Sequence, residues 1–119
     1  MIERLEISGL HIKVDDDLKK YVTKKIGKLD TYLPRRARAS AHAEVKLSEQ
    51  MIKTKKLCSC EVVLRLPHDT LTTKETTVNM FAAVDIVEAK LKNQIKKYKE
   101  THSSLKLHRR ILGRIRRRG

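Results

Sequence analysis

Two stretches of this chain alternate apolar and polar residues, and that alternation restricts the fold more than any other feature. In "ARASAHAEVKLS" (37–48), Ala37, Ala39, Ala41, Ala43, Val45 and Leu47 fall on one side. Arg38, Ser40, His42, Glu44 and Lys46 fall on the other. In "LCSCEVVLRL" (57–66), Cys58, Cys60, Val62, Leu64 and Leu66 share a side. Successive side chains of a strand point to opposite faces, so both stretches read as strands with one buried face. A sheet of this kind needs a cover for its apolar side. Inward alanines let that cover approach closely.

Two segments can supply the cover. The first follows Asp15, a good N-cap, with Asp16 and Asp17 in the first turn, where negative charge suits the helix dipole. Leu18, Tyr21, Val22, Ile26 and Leu29 recur there at helical spacing, Gly27 weakens the helix without ending it, and Pro34 marks the exit. The second starts after Asn79 and runs to about His102, with Val84, Val87, Leu91, Ile95 and Tyr98 as its stripe. Glu88 and Lys92 stand four residues apart on it, a favourable ion-pair spacing.

The remaining elements follow from local signals. "IERLEIS" (2–8) alternates, with Leu5 and Ile7 inward. "EQMIKTKK" (49–56) reads as the loop of a long hairpin, and "PHD" (67–69) as a turn. "TLTTKETTV" (70–78) suits a fourth strand near an edge, with Leu71 and Thr73 inward. The order β-α-β-β-β-α pairs the first two strands in parallel through a right-handed crossover and makes the last three an antiparallel meander. The expected fold class is α+β: a two-layer sandwich, with a four-stranded mixed sheet and two helices on one face. Residues 1–102 form the domain. Residues 103–119 form a basic tail, either a short helix or an arm that orders on binding.

Charge points to the partner. The 119 residues carry a net charge of +14, from 28 Lys and Arg against 14 Asp and Glu. Seven of the basic residues and none of the acidic ones lie in 105–119, so half of the excess sits in the tail. That layout favours a polyanion, nucleic acid before an anionic membrane. With both helices on one side of the sheet, their outer faces adjoin. Lys24, Lys25 and Lys28 would then lie near Lys90, Lys96 and Lys97 if the helices run parallel, giving a surface that follows phosphates. Gln94 and Asn93 could reach the backbone or 2′-hydroxyls. One Phe, three Tyr and no Trp leave few rings for stacking on single strands, so recognition by shape and phosphate position is expected. A general double-stranded RNA-binding module remains the alternative, and a membrane-surface role for the tail is a further one.

Other function classes find little support. The sequence holds no Gly-rich phosphate loop and no nucleophile–base spacing. No cofactor, metal or small-molecule substrate is expected. His11, His42, His68, His102 and His108 are scattered as surface histidines, and the Asp15–Asp17 cluster reads as capping. Cys58 and Cys60 lie too far apart on one strand face for a disulfide, so both read as buried thiols in a reducing compartment. The start, "MIERLEISGLHIKV", lacks the apolar core of a signal peptide, and no stretch reaches the length of a membrane span. A cytoplasmic, monomeric protein is expected.

The residues also resemble a known family. Met80, Phe81, Ala82, Ala83, Val84, Asp85, then Lys90, Leu91, Gln94, Ile95, Lys97, Tyr98 and Lys99, follow the closing pattern of the ribosome hibernation factors. That family includes the hibernation promoting factor and the ribosome-associated translation inhibitor. Ile7, Gly9, Tyr21, Lys25, Ile26, Lys28 and Leu29 match at the start. Phe81 stands where the family usually has Tyr. The resemblance implies a translation inhibitor, not an enzyme, that occupies the tRNA and mRNA channel of the small ribosomal subunit. It implies contacts to ribosomal RNA from Lys25, Lys28, Lys90, Gln94 and Lys97. Lys24 and Lys96 join them from the helical-face argument. Arg109 and Arg110 join them as the basic tail, whose composition departs from that of the short inhibitor. Long family members carry a second domain, for which this stretch has no room.

Overall fold

The computed structural model describes residues 1–67 and 69–118, with side chains described as far as residue 100. Four strands and three helices follow in the order β1 (Arg4–Leu10), α1 (Asp16–Gly27), α2 (Arg35–Ser40), β2 (His42–Ile52), β3 (Lys55–Leu66), β4 (Asp69–Thr77) and α3 (Met80–Arg118). A 3-10 segment, Lys28–Tyr32, continues from α1. The strands stand in the order β1-β2-β3-β4. Pairing is parallel between β1 and β2 and antiparallel thereafter, so the expected mixed sheet and crossover are present.

The core lies between the sheet and the helices. Ala43, Val45 and Leu47 of β2 and Cys58, Cys60, Val62, Leu64 and Leu66 of β3 are buried, as the alternation requires. Leu18, Val22, Ile26 and Leu29 face them from α1 and its continuation, and Val84, Val87, Leu91, Ile95 and Tyr98 from α3. On β4, Leu71 is half-buried and Thr73 buried, so the inward face lies where expected. Each fully buried aliphatic side chain of this kind contributes about 1.5–3 kcal/mol. Burial pushes the Cys58 thiol up and the Cys60 thiol up to about 12, so both are poor nucleophiles.

Capping sets the helix starts. Leu18 N–H donates to Asp15 Oδ1 at 2.8 Å, and Phe81 N–H donates to Asn79 Oδ1 at 2.8 Å. Gly9 sits where the chain doubles back: a Cβ there would meet the Ile12 carbonyl oxygen at 2.9 Å. His11 takes a positive φ of 58° in the same bend.

Several local expectations need correction. First, residues 35–40 are helical, not the opening of a strand, and β2 begins at His42. Ala37 is buried from a helix and Ala39 is exposed. Alternating Ala and Arg mimics a strand period, but both residues are strong helix formers. Pro34 presets the start, and its carbonyl accepts from the N–H groups of Ala37 and Arg38. Second, residues 49–56 are not a long loop. The β2–β3 ladder runs to the Ile52–Lys55 pair, with only Lys53 and Thr54 between, and Lys53 takes φ 57°. Third, α1 ends at Gly27 and tightens into the 3-10 segment, while Ile2 N–H takes the Gly27 carbonyl at 2.9 Å. The backbone of α3 runs on to Arg118, past the expected end near His102. The side chains of the tail, Arg109 and Arg110 included, lie outside the described residues, as does His68.

Candidate nucleic-acid interface

α1 and α3 lie side by side and parallel. Tyr21 meets Phe81 edge to face, with ring centroids 5.0 Å apart, and donates its hydroxyl to Asp85. Lys25 lies 3.6 Å from Asp85 and 4.0 Å from Glu88, and Lys28 lies 3.9 Å from Glu88. Further along, Lys92 sits over the Tyr32 ring at 4.8 Å from its centroid. Successive residues of one element thus meet successive residues of the other, as parallel axes demand.

This seam has two ends of different character. At the first, two lysines face two carboxylates. Glu88 therefore pairs across the helices with Lys25 and Lys28; the spacing within α3 had suggested Lys92. Asp85 holds the Tyr21 hydroxyl so firmly that its pKa is pushed up to about 12, with burial and the negative charges of Asp85 and Glu88 adding to the effect. At the second end, α1 has given way to the 3-10 segment, and the helical layer opens into a groove of about 450 Å³. Tyr32, Lys92, Asn93, Ile95, Lys96, Lys99 and Glu100 line it.

The expected contact residues are therefore divided. Lys25 and Lys28 lie on the seam and are engaged with acids. Lys24 is exposed on the crest of α1, and Lys96 on the groove wall. Lys90 and Gln94 do not join them. They lie on the opposite flank of α3, against β4, where Lys90 binds the Glu75 carboxylate and Gln94 Nε2 donates to the Thr72 carbonyl at 3.3 Å. Lys90 holds the Glu75 carboxyl below its ordinary range, mainly through this hydrogen bond. Lys97, three residues beyond Gln94, continues that row. The expectation of a single merged lysine patch is corrected accordingly. At 3.6 residues per turn, 90, 94 and 97 fall on one side of the buried stripe, and 92, 96 and 99 on the other. Lys92, Lys99 and Tyr32 are additions from the structure. The i,i+4,i+7 spacing of 92, 96 and 99 carried the signal for the two lysines; nothing in the spacing marked Tyr32.

The outer face of the sheet is different in kind. Part of its charge is matched: Arg65 lies 2.5 Å from Glu44, Lys46 3.9 Å from Glu61 and the His42 ring 3.7 Å from Glu6, while Arg4 and Lys74 stand exposed there without an ion pair among the described residues. The ligand atoms of Glu6, His42 and Glu44 lie within 4.8 Å of one another, a grouping that sequence spacing did not reveal because parallel pairing of Glu6 with Glu44 creates it. Glu44 is already occupied by Arg65, so the group reads as part of the ion-pair row. Among the described residues, Lys24, Lys96, Lys97 and Lys99 are exposed on the helical layer and make no ion pair. With Lys19, Lys20 and Lys92 also exposed there without an ion pair, the helical layer holds the larger share of the uncompensated positive charge among these residues.

Comparison with known proteins gives this layer a context. The family model described as "Sigma 54 modulation protein / S30EA ribosomal protein" matches residues 5–103. The chain is 35% identical over 96 residues to the ribosome hibernation promotion factor of Lactococcus lactis, covering 81% of this chain and 49% of that protein. It is 32% identical over 96 residues to the protein of the same name from Staphylococcus aureus, with 81% and 48% covered. The chain thus spans about half the length of these curated relatives. Among solved structures, the fold is similar to the N-terminal domain of Thermus thermophilus Protein Y, with TM-score 0.60 and 24% identity over 82% of this chain and 97% of that one. It is also similar to a ribosomal subunit interface protein from Coxiella burnetii, with TM-score 0.62 and 21% identity over 82% and 98%. A lysine-faced pair of parallel helices on a four-stranded mixed sheet, matched by that model over most of its length, makes this chain a member of the Sigma 54 modulation protein / S30EA ribosomal protein family, to which the ribosome hibernation factors belong.

Proposed function

We propose that this protein binds ribosomes in the cytoplasm and holds them idle, with the helical layer seated against ribosomal RNA in the tRNA and mRNA channel of the small subunit. The observation that carries this reading is the imbalance of charge between layers. Among the described residues, the outer face of the sheet has three ion pairs and two unpaired cations, Arg4 and Lys74, against seven exposed lysines without an ion pair on the helices, Lys19, Lys20, Lys24, Lys92, Lys96, Lys97 and Lys99. Each lysine that reaches a phosphate releases a counterion, so binding is strong at low salt and falls steeply as salt rises. Lys24 and Lys96 are the first contacts, with Lys97 reaching a second strand of RNA from the β4 flank. Lys25, Lys28, Lys90 and Gln94 position the helices and contribute less directly. Arg109 and Arg110 add phosphate contacts from the tail. Inhibition is by occupancy, without a chemical step. No helix among the described residues is long and apolar enough to cross a membrane.

Sedimentation through a sucrose gradient tests this. Purified protein is mixed with ribosomes and separated subunits at low and moderate salt. Co-migration with the small subunit or whole ribosome, and exclusion by bound initiator tRNA, is the expected result. Protein that stays at the top of the gradient at both salts overturns the reading. Binding to free duplex RNA as tight as to ribosomes would favour a general double-stranded RNA binder in its place.

A further inference from the structure

We propose that the groove beside Tyr32 receives a single unstacked RNA base, with Tyr32 as the stacking platform. This inference rests on the ribosome-binding reading and adds base contact to a surface otherwise assigned only to phosphates.

Four observations meet at this place. Tyr32 is half-buried, packed against the core by one part of its ring and exposed to the groove by another. It is one of three tyrosines in a chain whose core is built mainly of aliphatic side chains. The Lys92 ammonium lies over its ring at 4.8 Å, so the π-face is presented and held by a cation that can leave. The groove, about 450 Å³, has fully buried Ile95 among its lining residues and Lys92, Asn93, Lys96 and Lys99 around it. Its size is that of a small-molecule site.

These features fit an RNA base and its flanking phosphates. An exposed aromatic face is the usual platform for a base taken out of a helix. Asn93 offers both a donor and an acceptor to a base edge. Lys96 and Lys99 stand one turn apart, where a backbone leaving the groove would pass. Lys92 then exchanges the ring for a phosphate as the base enters. Duplex RNA keeps its bases stacked inside and cannot fill the site, so the occupant is an unpaired nucleotide. Tyr21 and Phe81 do not offer the same platform, because they meet edge to face at the closed end and Tyr21 is tied to Asp85.

The test uses the wild-type chain bound to ribosomes, irradiated to form zero-length protein–RNA adducts, with the adduct mapped by mass spectrometry. A base attached to Tyr32 is the expected result. In parallel, Tyr32→Leu should weaken ribosome binding by about 10- to 100-fold, and Tyr32→Phe should leave it near wild type. The salt dependence separates stacking from charge. Tyr32→Leu should leave the slope of log affinity against log salt unchanged, whereas Lys96→Gln should reduce it by about one. The adduct is sought on the wild-type protein, so a Tyr32→Leu chain that fails to fold leaves the test intact. If the wild-type protein binds ribosomes but Tyr32 carries no adduct, and folded Tyr32→Leu binds equally well, the groove assignment is overturned and ribosome binding stands. If the wild-type protein binds no ribosomes, both fall together.

Discussion

At one end of the seam between α1 and α3, Lys25 and Lys28 face Asp85 and Glu88. At the other, Lys92, Lys96 and Lys99 surround Tyr32, with Glu100 the one acid lining the groove. The same residue type does two jobs within a few turns of one helix. A lysine within 4 Å of a carboxylate has its field largely cancelled beyond about 8–10 Å, the screening length of physiological salt. A lysine without such a neighbour presents its full charge to an approaching phosphate. Local acids, more than the number of lysines, decide which part of a basic surface can attract RNA.

The most disruptive way to break this contrast is to remove what lies beneath both ends. Leu91 is fully buried under the seam, between the two sets of lysines. Leu91→Ala should lower unfolding stability by about 2–5 kcal/mol, read by denaturant titration, and impair both ends at once. Next in size is charge reversal at the open end. Lys92→Glu with Lys96→Glu should weaken ribosome binding by roughly 100-fold at moderate salt and leave the unfolding midpoint near wild type, because both residues are exposed. An equal loss of stability in that variant would mean that the open end also holds the fold together.

The same reversal at the closed end should behave in the opposite way. Lys25→Glu with Lys28→Glu sets like charges against Asp85 and Glu88 and should cost about 1–2 kcal/mol of stability, with affinity falling less than at the open end. The smallest effect is expected from Tyr21→Phe, which removes one hydrogen bond to Asp85, worth about 0.5–1 kcal/mol. Its pH dependence has a definite sign. The folded Tyr21 titrates at about 12, above the ordinary value of 10.0, because Asp85 accepts from the neutral phenol. The stability that this bond supplies is complete below about pH 10 and is lost as pH rises through about 12. Wild type and Tyr21→Phe should therefore converge in stability at high pH and differ below it.

Much of the fold was legible because burial writes a period into the sequence. Cys58 to Leu66 alternates because each second residue enters the core, and Val84 to Tyr98 recurs at 3–4 residues for the same reason. What misled was a period without burial behind it. Ala37 and Ala39 alternate with arginine, yet Ala39 is exposed and the segment coils, since nothing in a binary pattern separates a short Ala–Arg helix from a small-residue strand. The candidate site was legible as a residue class and illegible as an arrangement. Lysines on two amphipathic helices foretold a basic layer. That Lys25 would meet Asp85, or that Lys90 would turn towards Glu75, depends on contacts between residues far apart in the chain. Tyr32 was hidden for a different reason: it follows the last turn of the stripe, where no spacing rule separates a core aromatic from a platform.

The parallel pairing of β1 with β2 has a consequence for how the chain assembles. β2, β3 and β4 are joined by tight turns, and their ladders can close between near neighbours in sequence. Arg4, by contrast, pairs with His42, so β1 can add to the sheet only after the whole of α1 and α2 has been brought across it. Closing that loop costs chain entropy before any ladder bond repays it. The meander with α3 should therefore form first and β1 dock last, and the amides of β1 should be the strand amides that exchange with solvent soonest in the native protein.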